Sequence, residues 1–169
     1  MVFALDPKAA AYLSEQIRDG LFAKVYLALA EGEMTGEGTM TDQLYFDRKQ
    51  NKSFPAEKKR PGTREARLQY RVLQVLPSPL DPARQVSLCR VVLETGRTHQ
   101  IRVQFASRKH PLVGDRKYGS RTNTHECSLW AAELSFAHPG DRKAQSPIPT
   151  GQPMHFTDNS PGGLLAQVF

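Results

Sequence analysis

Hydrophobic and polar residues alternate along several stretches of the chain, as they do in β-strands that bury one face. Three prolines between residues 77 and 82 separate the longest stretch from the next strand. The buried face of that longest stretch is expected to hold Ala66, Leu68, Tyr70 and Val72. The predicted strands cover residues 24–30, 65–76, 86–94 and 128–136.

A helix is predicted over residues 8–18, because Asp6 can cap its first turn and Pro7 occupies the position at which proline is favoured. The buried stripe of this helix is expected to consist of Ala10, Leu13 and Ile17. Strands dominate the pattern, and the few helices do not alternate regularly with them. The chain therefore predicts an α+β fold with a mixed, mostly antiparallel central sheet and flanking helices.

The length of 169 residues and an apolar content of 39% fit a single folded domain. Residues 31–64 hold Gly32, Gly36 and Gly38 and then many basic residues, and we expect loops and short strands there. About residues 140–169 are rich in Pro, Gly and Ser, which predicts a surface tail.

Membrane and metal-site signals are not found in the sequence. No apolar run reaches the length of about 18 residues that a spanning helix needs, and the first residues lack the pattern of a secretion signal. The two cysteines, Cys89 and Cys127, form neither a disulfide framework nor a zinc-ligand cluster. We therefore expect a cytoplasmic, monomeric protein without a metal.

Basic charge is concentrated in two segments. Residues 48–67 hold eight Lys or Arg against two glutamates, and residues 97–121 hold seven against one aspartate. Each segment carries +6, which equals the net charge of the whole chain, so the other residues together carry −6. Such segregation is typical of a surface that binds a polyanion such as RNA. Solvated basic loops are the alternative explanation at this point.

The densest polar segment, residues 95–102 (TGRTHQIR), lies between a predicted strand and a predicted short helix. Thr98 is expected to cap this helix, and Ile101 and Phe105 are expected to face the core. Hydrogen-bonding side chains at such a junction favour a functional site, because the flanking elements hold an accessible loop in place. These side chains belong to Arg97, Thr98, His99, Gln100 and Arg102.

The sequence TGRTHQIRVQFASRKHPLVGDRKYG closely resembles the signature of the RluA-type pseudouridine synthases. The resemblance extends to KVYLALAEG and to SLWAAELSFAHP, and it covers about residues 1–139. It implies the pseudouridine synthase catalytic fold and the isomerisation of uridine to pseudouridine in ribosomal or transfer RNA, without any cofactor.

The resemblance also implies roles for individual residues. Tyr26 corresponds to the tyrosine that packs against the target base, Leu129 to an apolar residue beside the base, and Arg102 to the basic partner of the catalytic aspartate. We expect contacts with structured RNA from the two basic segments. The candidate RNA-binding residues are Arg97, Thr98, His99, Gln100, Lys58, Lys59, Arg60, Lys109 and Lys117.

The family places its catalytic aspartate in a His-Arg-Leu-Asp segment, and the first residues of this chain match the part of the family pattern directly after that segment. We therefore expect an N-terminally truncated catalytic domain that is inactive as it stands. Four other aspartates are not expected to substitute, because they cap a helix, belong to a supporting loop or lie outside the signature; these are Asp6, Asp115, Asp42 and Asp47.

Two alternatives remain open from the sequence. The chain could be a non-catalytic RNA-binding module derived from a synthase. It could also be a metal-free nuclease that uses His99 and His110 as acid and base, with Lys109 binding the phosphate. The nuclease hypothesis does not explain why TGRTHQIR occurs as a block.

Overall fold

The computed structural model describes residues 2–59, 61–122, 124, 126–139 and 153–168, and one seven-stranded sheet forms its centre. The strands are β1 (Ala23–Glu31), β2 (Glu37–Asp47), β3 (Lys52–Ala56), β4 (Arg64–Ser78), β5 (Asp81–Leu93), β6 (Leu129–Ala137) and β7 (Pro153–Thr157). The helices are α1 (Pro7–Arg18) and α2 (Gln100–Ser107), and short 3-10 turns cover Arg116–Tyr118 and Gly163–Gln167. The strand order is β3-β2-β4-β5-β1-β6-β7, and every described pair is antiparallel. The predicted α+β class is confirmed.

The four predicted strands correspond to β1, β4, β5 and β6. Strand β5 begins earlier than predicted, at Asp81 and not at residue 86. The prolines do not separate two strands by a long loop. They lie at a tight hairpin end where Ser78 pairs with Asp81, and proline is tolerated at such strand ends.

The expectation of loops and short strands over residues 31–64 was wrong for β2, which has eleven residues and pairs with β4. Its buried positions include Met40 and Leu44, but half-buried Asp42 lies between them on the same face. The Asp42 carboxylate accepts hydrogen bonds from Gln104 (2.7 Å) and Arg108 (2.9 Å) of the α2 region. This inward-facing polar residue obscured the hydrophobic alternation of the strand.

Helix α1 begins as predicted, since the Asp6 carboxylate accepts from the backbone N–H groups of Lys8 and Ala9, both at 2.8 Å. Its buried stripe differs from the prediction. Leu13 is buried, but Ala10 is exposed and Ile17 is 47% exposed. Gln16 is buried instead, because its amide bonds the N–H and the carbonyl of Ala137 at 2.6 and 2.8 Å. A polar side chain with both groups satisfied thus docks the helix on β6.

Helix α2 packs on the sheet with Ile101 and Phe105 buried, as predicted. Thr98 is not its cap. His99 takes that position with a left-handed backbone (φ 55°), and its side chain makes no capping hydrogen bond. The sequence pattern missed this because residues other than glycine adopt the left-handed region uncommonly.

The predicted surface tail is only partly exposed. Strand β7 pairs with β6 at the sheet edge and is mostly exposed. Leu164 and Leu165, from the following 3-10 turn, are buried against Leu29 and Val86 in a second core cluster. Residues 140–152 of the tail lie outside the described residues. No described helix is long and apolar enough to span a membrane.

Candidate functional site

Helix α2 directs Arg102 toward the loop that holds Asp115, and the two side chains form a two-pronged ion pair. Arg102 Nε donates to Oδ2 of Asp115 at 2.7 Å, and Nη2 donates to Oδ1 at 2.6 Å. The Asp115 side chain is fully buried, whereas that of Arg102 is 22% exposed. The hydrogen bond to Asp115 raises the pKa of Arg102. No described residue forms a hydrogen bond with Nη1 of Arg102, which leaves its two N–H groups for another group.

Tyr118 packs under the Arg102 guanidinium, whose central carbon lies 5.0 Å from the ring centroid. The Tyr118 hydroxyl accepts the backbone N–H of Ser53 at 2.8 Å and lies 3.0 Å from Nδ1 of His99. Burial raises the pKa of Tyr118. Arg102 is therefore held between a carboxylate and an aromatic face. The sequence did not single out this tyrosine, which ends the 3-10 turn that follows Asp115.

Glycine is required next to this ion pair. Gly114 has a φ of +80°, and a Cβ there would overlap the carbonyl oxygen of Glu126 and the side chain of Thr124. The backbone of Glu126 can approach only because position 114 has no side chain.

Tyr26 and Leu129 lie on the same face of the sheet as α2. Leu129 of β6 pairs with Ala28 of β1. Tyr26 also lies in β1, two residues before Ala28. Both side chains are half-buried and pack against the core cluster that contains Ile101, the neighbour of Arg102. Burial raises the pKa of Tyr26, so it is a neutral phenol at pH 7. The structure thus brings Tyr26, Leu129 and the start of α2 to one cluster.

His99 is enclosed by rings and cations. Its ring centroid lies 6.4 Å from that of Phe46 and 5.7 Å from that of Tyr118. Burial lowers the pKa of His99, and the charges of Arg102 and Lys117 lower it further. His99 is therefore neutral at pH 7, and it adds no positive charge to this surface.

Acidification is expected to destabilise the fold partly through His99. Its pKa is lower in the folded than in the unfolded chain, so the unfolded state binds more protons as the pH falls below about 6.5. The free energy of unfolding should drop between about pH 7 and about pH 5, and the drop should be smaller in His99→Asn. Asparagine tolerates the left-handed backbone.

Urea unfolding at both pH values measures this difference. His155→Asn, at an exposed position on β7, is the matched control. An identical pH dependence in wild type and His99→Asn would show that His99 contributes nothing.

The predicted RNA-binding residues differ in accessibility. Lys58, Lys59 and Lys109 are exposed, and Thr98 is exposed beside half-buried Arg97. Lys117 is half-buried, and Arg60 lies outside the described residues.

Gln100 does not fit its predicted contact with RNA, because it is buried. Its amide oxygen accepts from the N–H of Arg97 at 3.0 Å and from the hydroxyl of Thr95 at 2.8 Å. Its amide nitrogen donates to the carbonyl of Arg67 at 3.0 Å. Gln100 ties the polar loop to β4, a role that the sequence could not distinguish from ligand binding.

Catalysis by a cysteine nucleophile and catalysis by a pair of histidines both receive no support. Burial raises the pKa of Cys89 to about 12 and that of Cys127 to about 11, so neither is a thiolate nucleophile at neutral pH. Nδ1 of His99 lies 3.0 Å from the Tyr118 hydroxyl and Nδ1 of His110 lies 2.9 Å from the carbonyl oxygen of Glu31, so the two imidazoles have separate partners. No cluster of three potential metal ligands occurs in the part of the chain that the structure describes.

The family model for RNA pseudouridylate synthases matches residues 1–107. The uncharacterized RNA pseudouridine synthase YhcT of Bacillus subtilis is 34% identical over 82% of this chain and 44% of the relative. The tRNA pseudouridine synthase C of Pasteurella multocida is 31% identical over 82% of this chain and 62% of the relative. The dual-specificity RNA pseudouridine synthase RluA of Vibrio vulnificus is 31% identical over 82% of this chain and 56% of the relative.

The fold also matches a solved structure. Human RNA pseudouridylate synthase domain containing 1 superposes with a TM-score of 0.72 at 23% identity, covering 94% of this chain and 62% of the human one. The chain spans about half the length of the first curated relatives it matches.

Proposed function

Since the chain belongs to the RluA-type family of RNA pseudouridine synthases, we propose that Tyr26, Arg102 and Leu129 form the surface that receives the target uridine. The observation that carries the proposal is the geometry of Arg102. Asp115 and Tyr118 hold its guanidinium, and no described residue forms a hydrogen bond with its Nη1. Tyr26 and Leu129 supply half-buried aromatic and apolar surface at the core cluster that contains Ile101, the neighbour of Arg102.

Each residue has a defined task in the proposed reaction. The reaction breaks the bond between N1 of uracil and the ribose, turns the base, and joins C5 to the ribose, while C5 loses a proton and N1 gains one. Tyr26 and Leu129 would hold the freed base by packing against it. Nη1 of Arg102 would hold the catalytic carboxylate of the family in its ionised form.

Asp115 is not that carboxylate. It is the only described carboxylate that contacts Arg102, and its side chain is completely buried, so it cannot reach a ribose. We therefore propose that the chain as given binds RNA and produces no pseudouridine until a His-Arg-Leu-Asp segment supplies the carboxylate. An RNA-binding module without catalysis is the alternative, and it would keep the same surface.

The proposed ligand is structured RNA, either ribosomal or transfer, bound by a cytoplasmic monomer without a metal or cofactor. The names of two relatives support RNA as the ligand, since one is a tRNA pseudouridine synthase and the other a dual-specificity RNA pseudouridine synthase. Exposed cations near α2 and after β3 support electrostatic binding of phosphates.

Replacing Lys58 and Lys59 together with alanine is expected to weaken RNA binding without changing the fold, because both side chains are exposed. If each lysine contacts a phosphate, the slope of log affinity against log salt should become shallower by about 1.4 to 1.8. Fluorescence anisotropy with a labelled transfer RNA between about 50 and about 200 mM salt measures the slope.

The charge-matched control is Lys8→Ala with Arg84→Ala, which removes two exposed cations outside the basic segments. An equal loss of affinity and slope in both double variants would mean that RNA binding follows net charge and not a defined surface.

A further inference from the structure

A cleft of about 320 Å³ opens between the β2–β3 hairpin and the loop at Gly96–Thr98. We call it the arginine cleft. Leu44, Phe46 and Ser53 line it from the hairpin, and Gly62 lines it from the loop after β3. Its volume lies at the lower end of the range for small-ligand sites.

Three arginines line the arginine cleft, namely Arg48, Arg64 and Arg97. None of them forms an ion pair with any residue that the structure describes. Nε of Arg97 donates a hydrogen bond to the carbonyl oxygen of Glu65 at 2.8 Å, and this contact holds the guanidinium in place. No described lining residue is acidic, so the charge of the cleft favours a phosphate.

An exposed aromatic ring accompanies these cations. Phe46 lines the arginine cleft and is 39% exposed, and it packs edge-on against His99. Exposed phenylalanine beside arginines without an ion-pair partner is the combination that binds single-stranded nucleotides, because the ring stacks on the base while the cations bind the phosphates.

The arginine cleft adjoins the proposed uridine site through shared residues. Ser53 lines the cleft, donates its hydroxyl to the carbonyl of Thr98 at 2.5 Å, and donates its N–H to the Tyr118 hydroxyl. Tyr118 in turn packs under Arg102. The arginine cleft and the surroundings of Arg102 are therefore connected through Ser53 and Tyr118.

We propose that the arginine cleft binds a nucleotide that flanks the target uridine, with its base stacked on Phe46 and its phosphates on Arg48, Arg64 and Arg97. This inference rests on the proposed function, since it requires RNA as the ligand. It assigns the cleft to an unpaired nucleotide, because a base inside a duplex cannot present its face to Phe46.

The test measures affinity of the unmodified chain for a labelled RNA hairpin with a uridine-containing loop, and for a blunt RNA duplex of equal length. Phe46→Ala should weaken hairpin binding about 10-fold, in line with the loss of one stacked base, and should leave duplex binding unchanged. Phe46→Trp should retain hairpin affinity. Phe46→Leu, which keeps an apolar side chain without a ring, should lose it.

Two controls separate the cleft from its surroundings. Phe156→Ala removes an aromatic ring of similar exposure (48%) on β7, and Arg71→Ala removes an exposed arginine on the same strand as Arg64. Neither should change hairpin affinity, whereas Arg64→Ala should reduce it several-fold.

The outcomes also distinguish this inference from the proposed function. If the unmodified chain does not bind either RNA, the proposed function fails and this inference fails with it. The chain could instead bind RNA while Phe46→Ala has the same hairpin affinity as Phe156→Ala, or while Phe46→Leu has the same hairpin affinity as Phe46→Trp. Either result would overturn only the proposal that the arginine cleft binds a nucleotide.

Discussion

Replacing Arg102 with alanine is expected to lower the free energy of unfolding by about 3–5 kcal/mol, because it leaves a buried charge without its partner. Asp115 is completely buried, and its carboxylate accepts two hydrogen bonds from the guanidinium of Arg102. The variant also loses the contact with the Tyr118 ring. Urea unfolding of wild type and Arg102→Ala measures the difference.

Arg90→Ala is the matched control for this prediction. Arg90 also bonds a carboxylate with two contacts, to Glu133, but both side chains are about one-third exposed. Its loss should cost about 1 kcal/mol or less. Replacing Arg102 and Asp115 together with leucine should restore part of the lost stability, since no buried charge remains. A cost for Arg102→Ala no larger than that for Arg90→Ala would contradict the role of the ion pair.

The stability prediction affects how activity is tested. In a chain extended by the His-Arg-Leu-Asp segment, a loss of turnover in Arg102→Ala would have two causes, the missing donor and the disturbed loop around Asp115. Arg102→Lys keeps the charge but cannot bond Asp115 with two parallel contacts and still offer a donor to another carboxylate. This conservative variant is the better probe of chemistry.

The sequence predicted four of the seven described strands, and the signature segment, because both depend on local patterns. Alternation located β1, β4 and β6 to within two residues, and Asp6 and Pro7 marked the start of α1. The pattern failed where a polar side chain takes an inward-facing place, as Gln16 does in α1 and Asp42 does in β2. Partners distant in the chain satisfy these groups, and a local pattern contains no information about them.

The candidate site was predicted unevenly for the same reason. Arg102, Tyr26 and Leu129 followed from the resemblance, and the structure places Tyr26 and Leu129 on one core cluster beside the start of α2. The pairing of Arg102 with Asp115 and the role of Gln100 depend on contacts across the fold. Hydrogen-bonding side chains next to a glycine turn look alike in sequence, whether they bind a ligand or the protein's own backbone.

The second large effect concerns turnover. The chain as given is expected to form pseudouridine at least about 10³-fold more slowly than a chain extended before Met1 by a His-Arg-Leu-Asp segment. The physical reason is that Arg102 has a donor for a second carboxylate, and Asp115 is buried too deeply to act. RNA affinity should change far less than turnover, because the basic surface is present in both chains.

Tritium release measures this difference most directly, since joining C5 to the ribose frees the C5 hydrogen. Unmodified transfer and ribosomal RNA transcripts carrying tritium at C5 of uridine are incubated with the chain, with the extended chain, and with an extended chain whose added aspartate is asparagine. Release by the extended chain alone is the predicted result. Equal release by the chain as given would contradict the account that its own residues lack the catalytic carboxylate.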